Sequence, residues 1–125
     1  MTNTLQKIRV AIVDDHDMLR EALRLMLEHA GIVQIKIIAM HGQDLIEQMK
    51  EKEIDLVILD IQMPVMDGMQ TLNYLKTNHR DLKVIMYSSL GDEEIIKKYK
   101  LHGADGYVVK SKAIELIDEI NMVMN

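Results

Sequence analysis

The chain has 125 residues, 48% of them apolar, with 20 acidic against 15 basic side chains and a formal net charge of -5. That length suits one domain able to bury roughly two-thirds of its unfolded surface, and the negative balance argues against the domain gripping nucleic acid directly, which needs clustered positive charge. With no cysteine there is no disulfide framework or thiolate zinc site, which is compatible with a reducing, cytoplasmic setting. The first ten residues lack the apolar segment of a signal peptide, and no apolar run approaches the roughly 20 residues needed to cross a membrane. Eleven Met with no Phe and no Trp leave Ile, Leu, Val and Met to build the core. The methionines read as flexible filler there.

The first strand is predicted from about Ile8 to Val13, a nearly continuous apolar run that stops at the acidic pair Asp14-Asp15. A helix follows from about Asp17 to His29, with Leu19, Ala22, Leu23, Met26 and Leu27 recurring at three- and four-residue steps as its inner face. Asp17 suits the positive end of its dipole, and Gly31 sits where a C-terminal cap is expected. The second strand is predicted over Val33 to Met40, and a second helix over Gln43 to Lys50 with Leu45, Ile46 and Met49 inward. Leu56 to Asp60 forms the third strand, and a helix with Met69, Leu72 and Leu75 follows Gly68. The fourth pair is a strand over Lys83 to Ser88 and a helix over Glu93 to Leu101. The fifth is a strand over Gly106 to Lys110 and a helix over Lys112 to Val123, with Ile114, Ile117 and Ile120 inward. Strands this apolar are expected where both sheet faces are covered. Their alternation with helices implies βαβ units and a parallel sheet. No Pro-, Gly- or Ser-rich linker and no internal repeat interrupts the pattern, so residues 1–125 read as a single domain.

In open parallel sheets, ligands bind at the carboxyl ends of the strands. Those ends here carry Asp14-Asp15, Asp60, Ser88 and Lys110. Each has a plain structural explanation: a capping carboxylate, a turn serine, a solvated lysine. Four chemically matched ends in succession point instead to one site. Three carboxylates suit a hard divalent cation, for which Mg²⁺ is the common choice. The chemistry they share is phosphoryl transfer to a carboxylate, with Asp60 as nucleophile. Asp15 and Asp60 would hold Mg²⁺ with a backbone carbonyl near Gln62, and Asp14 would help directly or through water. Lys110 would meet one phosphoryl oxygen as a compact charge, and Ser88 would donate to another. Ser88 is preferred to Ser89 because it directly ends the apolar run. His16 is read as a loop residue at the mouth, because Mg²⁺ prefers oxygen. His29, His41, His79 and His102 show no ligand spacing, and Lys97, Lys98 and Lys100 read as a solvated helix face.

Three segments carry a family resemblance across the whole chain: Val13-Asp14-Asp15-His16, the run from Asp60 to Gly68 (DIQMPVMDG), and the run from Gly103 to Lys110 (GADGYVVK). They resemble the receiver domain of two-component response regulators. The resemblance implies a doubly wound, flavodoxin-like sheet of five strands in order 2-1-3-4-5 with five flanking helices. It also implies phosphorylation of Asp60 by a partner histidine kinase, and a switch in which Ser88 moves toward the phosphoryl group while Tyr107 rotates inward. Lys110-Ser111 and Asp14-Asp15-His16 look like receivers joined to LuxR-type helix-turn-helix domains. Asp17 stands where that subfamily commonly has Pro, and Tyr99 and Lys100 stand where its fourth helix usually has small and apolar residues. The expected protein is a non-enzymatic phosphoacceptor with slow self-phosphorylation and self-dephosphorylation. Its expected partners are a histidine kinase and either a C-terminal DNA-binding output domain or a separate effector docking on the fourth helix, last strand and fifth helix. Homodimerisation on phosphorylation is part of the same expectation. Two rivals are a haloacid-dehalogenase-like phosphatase and a degenerate receiver that only binds. The first is disfavoured by Gln62 two residues after Asp60, the second by the intact set Asp15, Asp60, Ser88 and Lys110.

Overall fold

Alternate residues of the central strands point to opposite faces of one parallel sheet, and this period of two divides the core in half. In β1 (Ile8–Val13) and β3 (Leu56–Leu59), Val10, Ile12, Leu56 and Ile58 pack with Leu23, Leu27, Leu116 and Ile120 on one side. Ala11, Val13, Val57 and Leu59 pack with Leu45, Leu72, Leu75 and Tyr99 on the other. The protein, described by a computed structural model over residues 6–125, thus covers its sheet with α1 (Asp17–Ala30) and α5 (Leu116–Met124) on one face. On the other face lie α2 (Gly42–Met49), α3 (Gly68–Asn78) and α4 (Glu93–Leu101). Residues 1–5, part of the N-terminal stretch read as lacking a signal-type segment, lie outside the described residues.

With β2 (Val33–Ala39), β4 (Lys83–Ser88) and β5 (Gly106–Val109), the strand order is β2-β1-β3-β4-β5, all parallel. The order and parallel pairing implied by the resemblance are therefore observed. Gly31 ends α1 in the left-handed conformation (φ 78°) and its N–H bonds the Glu28 carbonyl, as the cap reading required.

Several expectations are corrected. β2 stops at Ala39, α2 begins at Gly42, and both Asp60 and Lys110 lie one residue beyond their strands. Coverage on both faces holds for β3 and most of β1 and β4, but β2 is an edge strand with Gln34 and Ile38 exposed. The fifth helix does not run unbroken from Lys112. A 3₁₀ segment, Lys110–Glu115, precedes α5, and Lys112 within it is non-helical (φ -120°, ψ 43°). Ile114 lies in this segment, outside α5, so the inner face of the helix does not extend back to it. Ile114 is accordingly 86% exposed, and Leu116 and Ile120 supply the buried contacts. In α1 the buried stripe is Leu23 and Leu27; Leu19 and Ala22, expected inward, are exposed near the start of the helix.

At the amino ends of the strands, opposite Asp14 and Asp60, Asp55 ties β1, β3 and β4 together. Its carboxylate accepts from the Arg9 backbone N–H (2.9 Å) and from the guanidinium Nε (3.1 Å) and Nη2 (2.9 Å). Its own N–H donates to the Arg9 carbonyl, and its carbonyl accepts from Lys83 N–H. The Arg9 hydrogen bonds hold the Asp55 carboxyl below its usual pKa, against a smaller opposing effect of burial. A depressed folded-state pKa contributes stability above the unfolded value, about 4, which is lost as pH falls through the folded value. Asp55→Asn should therefore lower the urea midpoint at pH 7, and the gap to the parent should close as the pH is taken below about 4. A gap independent of pH would show that the charge of Asp55 contributes nothing.

Candidate functional site

The register places two carboxylates side by side. β1 and β3 pair Val13 with Leu59, so the next residues, Asp14 and Asp60, emerge together at the rim, and Asp60 N–H donates to the Val13 carbonyl at 3.0 Å. Both are buried, at 2% and 5% exposure. Adjacent carboxylates with little solvent repel unless a cation lies between them. Lys110 provides it: its Nζ donates to Asp14 Oδ2 at 2.7 Å and reaches Asp60 Oδ2 at 3.4 Å. The ammonium also lies 5.8 Å from the centroid of the Tyr87 ring, within range of a cation–π attraction.

Burial pushes the Asp60 carboxyl above its ordinary pKa; Lys110 opposes the shift and the Asp14 charge adds to it. For Lys110, burial disfavours the charge, but its hydrogen bond to Asp14 and the fields of Asp60 and Asp14 outweigh it, and its pKa is raised. Asp15 stands at the mouth, more exposed than Asp14. Asp14, Asp15, His16 and Asp60 each turn a ligand-type atom into one cluster, all within 4.8 Å of one another. With all three carboxylates ionised, one ammonium leaves two negative charges uncompensated, which matches one divalent cation. His16 is a loop residue, as expected, standing just before α1. Its N–H donates to Asp14 Oδ1 at 2.9 Å, and its Nδ1 lies 3.3 Å from that oxygen and 3.1 Å from Asp15 Oδ1. Arg20 steadies the loop by donating to the Asp14 carbonyl at 2.7 Å.

The loop after Asp60 is tightly built. Asp60 Oδ1 accepts the Ile61 N–H at 2.7 Å, and Gln62 is exposed two residues on. Met66 N–H donates to the Pro64 carbonyl at 2.6 Å across Val65, whose φ is 67°. A β-branched residue in the left-handed region is strained by roughly 1–3 kcal/mol. Asp67 and Gln70 then form a reciprocal capping box that starts α3.

Ser88 ends β4 at 2% exposure while Ser89 faces solvent. Ser88 Oγ accepts the Leu90 N–H at 3.1 Å, and the Tyr107 phenol donates to the Leu90 carbonyl. Tyr107 is already inward here, 9% exposed, with its ring 6.3 Å from that of Tyr99 at 59°. Burial raises the Tyr107 pKa, the nearby Ser88 hydroxyl opposes this, and the Asp60 charge adds to it. Sequence reasoning did not find Leu90, because it acts through its backbone, which any residue could supply. It also kept His16 outside the cluster, although the side chain's position directly after the acidic pair was a visible signal.

Residues 10–121 match the response regulator receiver domain family. The transcriptional regulatory protein LnrK of Bacillus subtilis is 30% identical over 118 residues, covering 94% of this chain and 54% of its own length. The chain therefore spans about half of that relative. A DNA-binding response regulator of the LuxR family from Staphylococcus aureus superposes with a TM-score of 0.87 at 30% identity, covering 94% of this chain and 99% of that one. CheY in a CheX–CheY–BeF3–Mg²⁺ complex from Borrelia burgdorferi superposes with a TM-score of 0.87 at 29% identity, covering 94% and 90%.

Gly68 sets how closely α3 approaches Asp60. A Cβ there would lie 2.5 Å from the Asp60 carbonyl oxygen and 2.6 Å from Ile61 Cα, both backbone atoms that cannot swing aside. Gly68→Ala should lower the unfolding free energy by about 1–3 kcal/mol, the usual cost of overpacking. Unchanged stability in urea would mean the start of the helix can move freely away from the site.

Proposed function

Because the chain belongs to the response regulator receiver domain family, whose general function is that of a phosphoryl-accepting switch, we propose that Asp60 is its phosphoacceptor and residues 1–125 its phosphoacceptor domain. The observation that carries this is the buried Asp60 carboxylate held between Asp14 and Lys110 at the strand ends. The burial that raises its pKa also leaves the carboxylate poorly solvated, which makes its oxygen a better nucleophile once ionised. In the proposed step an Asp60 oxygen attacks the phosphorus of a phosphohistidine on a partner kinase. The P–O bond forms as the P–N bond breaks, and the leaving imidazole nitrogen keeps the bonding pair.

Receiver domains bind Mg²⁺ at an acidic pocket, and the donor set here fits: Asp15 and Asp60, with Asp14 and a backbone carbonyl near Gln62. When bound, such an ion lowers the repulsion between the incoming phosphoryl group and the carboxylates. Lys110 now pairs more closely with Asp14 than with Asp60, and new phosphoryl oxygens on Asp60 would draw its ammonium across. The Ser88 hydroxyl accepts from Leu90 and keeps its own hydrogen to donate. If Ser88 turns toward the phosphoryl group, it pulls the amide of Leu90, whose carbonyl holds Tyr107. Ser88, Leu90 and Tyr107 are thus a short path from the charge to the β5–α4 surface.

Receivers in this family are mostly not enzymes, and relatives with enzymatic activity carry it in other domains; we read this chain as a switch. A DNA-binding output is supported by the transcriptional and DNA-binding descriptions of two relatives. The net charge of -5 argues against DNA contact by this domain alone. A stand-alone receiver docking on a separate protein is the second reading, favoured by the exposed Leu101 beside the partly buried Ile96 on α4.

Acetyl phosphate and Mg²⁺ should load one phosphoryl group per chain, and Asp60→Asn should reduce the uptake to background in intact-mass measurements. Equal uptake by the mutant would move the acceptor elsewhere.

A further inference from the structure

We propose that Tyr99 holds the Tyr107 ring inward whatever the charge at Asp60, so that the α4–β5 surface keeps one shape and only the loop after β4 responds to the acceptor. The functional consequence rests on the proposed path from Asp60 to Tyr107; the contact between the two rings does not.

Tyr99 is the one buried side chain of α4, 6% exposed between Lys98 and Lys100, which both face solvent. The chain has four Tyr and no Phe or Trp, and two of those four rings meet here. Their centroids lie 6.3 Å apart with the planes at 59°, within the range in which tilted aromatic pairs attract beyond their area burial. The tip of the Tyr107 ring is held separately, by donation of its phenol to the Leu90 carbonyl. Ring and tip are thus held by Tyr99 and Leu90, neither of which belongs to the acidic rim.

Both rings stand on fixed backbone. The Tyr99 carbonyl accepts the N–H groups of His102 at 3.2 Å and Ala104 at 3.0 Å, which ties the end of α4 to the turn leading into β5. Tyr107 pairs with Met86 of β4 in the sheet. The two rings share one buried cluster with Leu59, Met63 and Met86. An outward turn of Tyr107 would leave a void in that cluster and forfeit the aromatic contact. Charge at Asp60 has its hydrogen-bonded path to Tyr107 through Ser88 and Leu90, so it can shift the loop without being needed to bring the ring in.

NMR of the whole chain with ¹³C-labelled Tyr rings and a soluble gadolinium chelate reads this directly, because paramagnetic relaxation of the Tyr107 signals rises with their exposure. In the parent, cross-relaxation between the rings of Tyr99 and Tyr107 is expected, and Tyr107 relaxation should change by less than about twofold when Mg²⁺ and beryllium fluoride are added. Tyr99→Phe keeps the ring and should match the parent. Tyr99→Leu keeps an apolar side chain in the cluster but no ring face, and Tyr107 relaxation should rise roughly 2- to 12-fold, the shift expected from losing one aromatic pair. Equal protection of Tyr107 in Tyr99→Leu and the parent would reduce Tyr99 to core packing and overturn the proposal. So would a missing contact between the rings, or a Tyr107 that becomes protected in the parent only when beryllium fluoride is added. Amides around Asp60 that do not respond to beryllium fluoride would instead overturn the acceptor reading, and the comparison of Tyr99→Leu with Tyr99→Phe would still decide the role of Tyr99.

Discussion

The arrangement depends on one ammonium between two buried carboxylates. The β1–β3 register brings Asp14 and Asp60 together with almost no solvent, a placement that would not survive with both charges unbalanced. Lys110, delivered by the end of β5, reaches both. It opens the 3₁₀ segment that precedes α5, directly after the end of β5. The two faces of the sheet are packed by ordinary aliphatic alternation, but the relation between the outer strand β5 and the inner pair β1–β3 at this rim is fixed by charge.

The balance is incomplete in a useful way. Lys110 sits closer to Asp14 than to Asp60, and Asp15 adds a further carboxylate at the mouth. The pocket can therefore accept more positive charge, and Asp60 retains a lone pair not committed to a close ion pair. On the other side of Asp60 the polar groups are already connected. Ser88 holds the Leu90 amide and Leu90 holds the Tyr107 phenol, so a change at the carboxylate has a physical path of two hydrogen bonds to the α4–β5 region. Tyr107 is inward in this structure, braced by Tyr99, so coupling through this path requires no large rotation of the ring. The movement can be confined to the loop that follows β4.

Most of the fold was legible because aliphatic runs and helical spacing report burial directly. Leu56 to Leu59, apolar at every position, could only be a strand covered on both sides, and Leu23, Leu27, Leu72 and Leu75 marked inner helix faces correctly. Spacing misled at Ile114, which lies in the 3₁₀ segment before α5, and at Leu19 and Ala22 in the first turns of α1, all of which are exposed. In the site, residues whose chemistry lies in the side chain were visible: Asp14, Asp60, Ser88 and Lys110 are brought to one rim. Leu90 was not visible, because its contribution is two backbone groups, and neither was the strain at Val65, which a side chain's identity argues against rather than for.

The central claim is that charge added at Asp60 reaches Tyr107 through Leu90. The most direct measurement is the amide spectrum of the ¹⁵N-labelled chain before and after Mg²⁺ with beryllium fluoride, which mimics a phosphoryl group on a carboxylate. The account predicts shifts beyond the pocket at Leu90, whose N–H is bonded to Ser88, and at Tyr107. Shifts confined to residues 14–16 and 60–62, with Leu90 and Tyr107 unmoved, would contradict it.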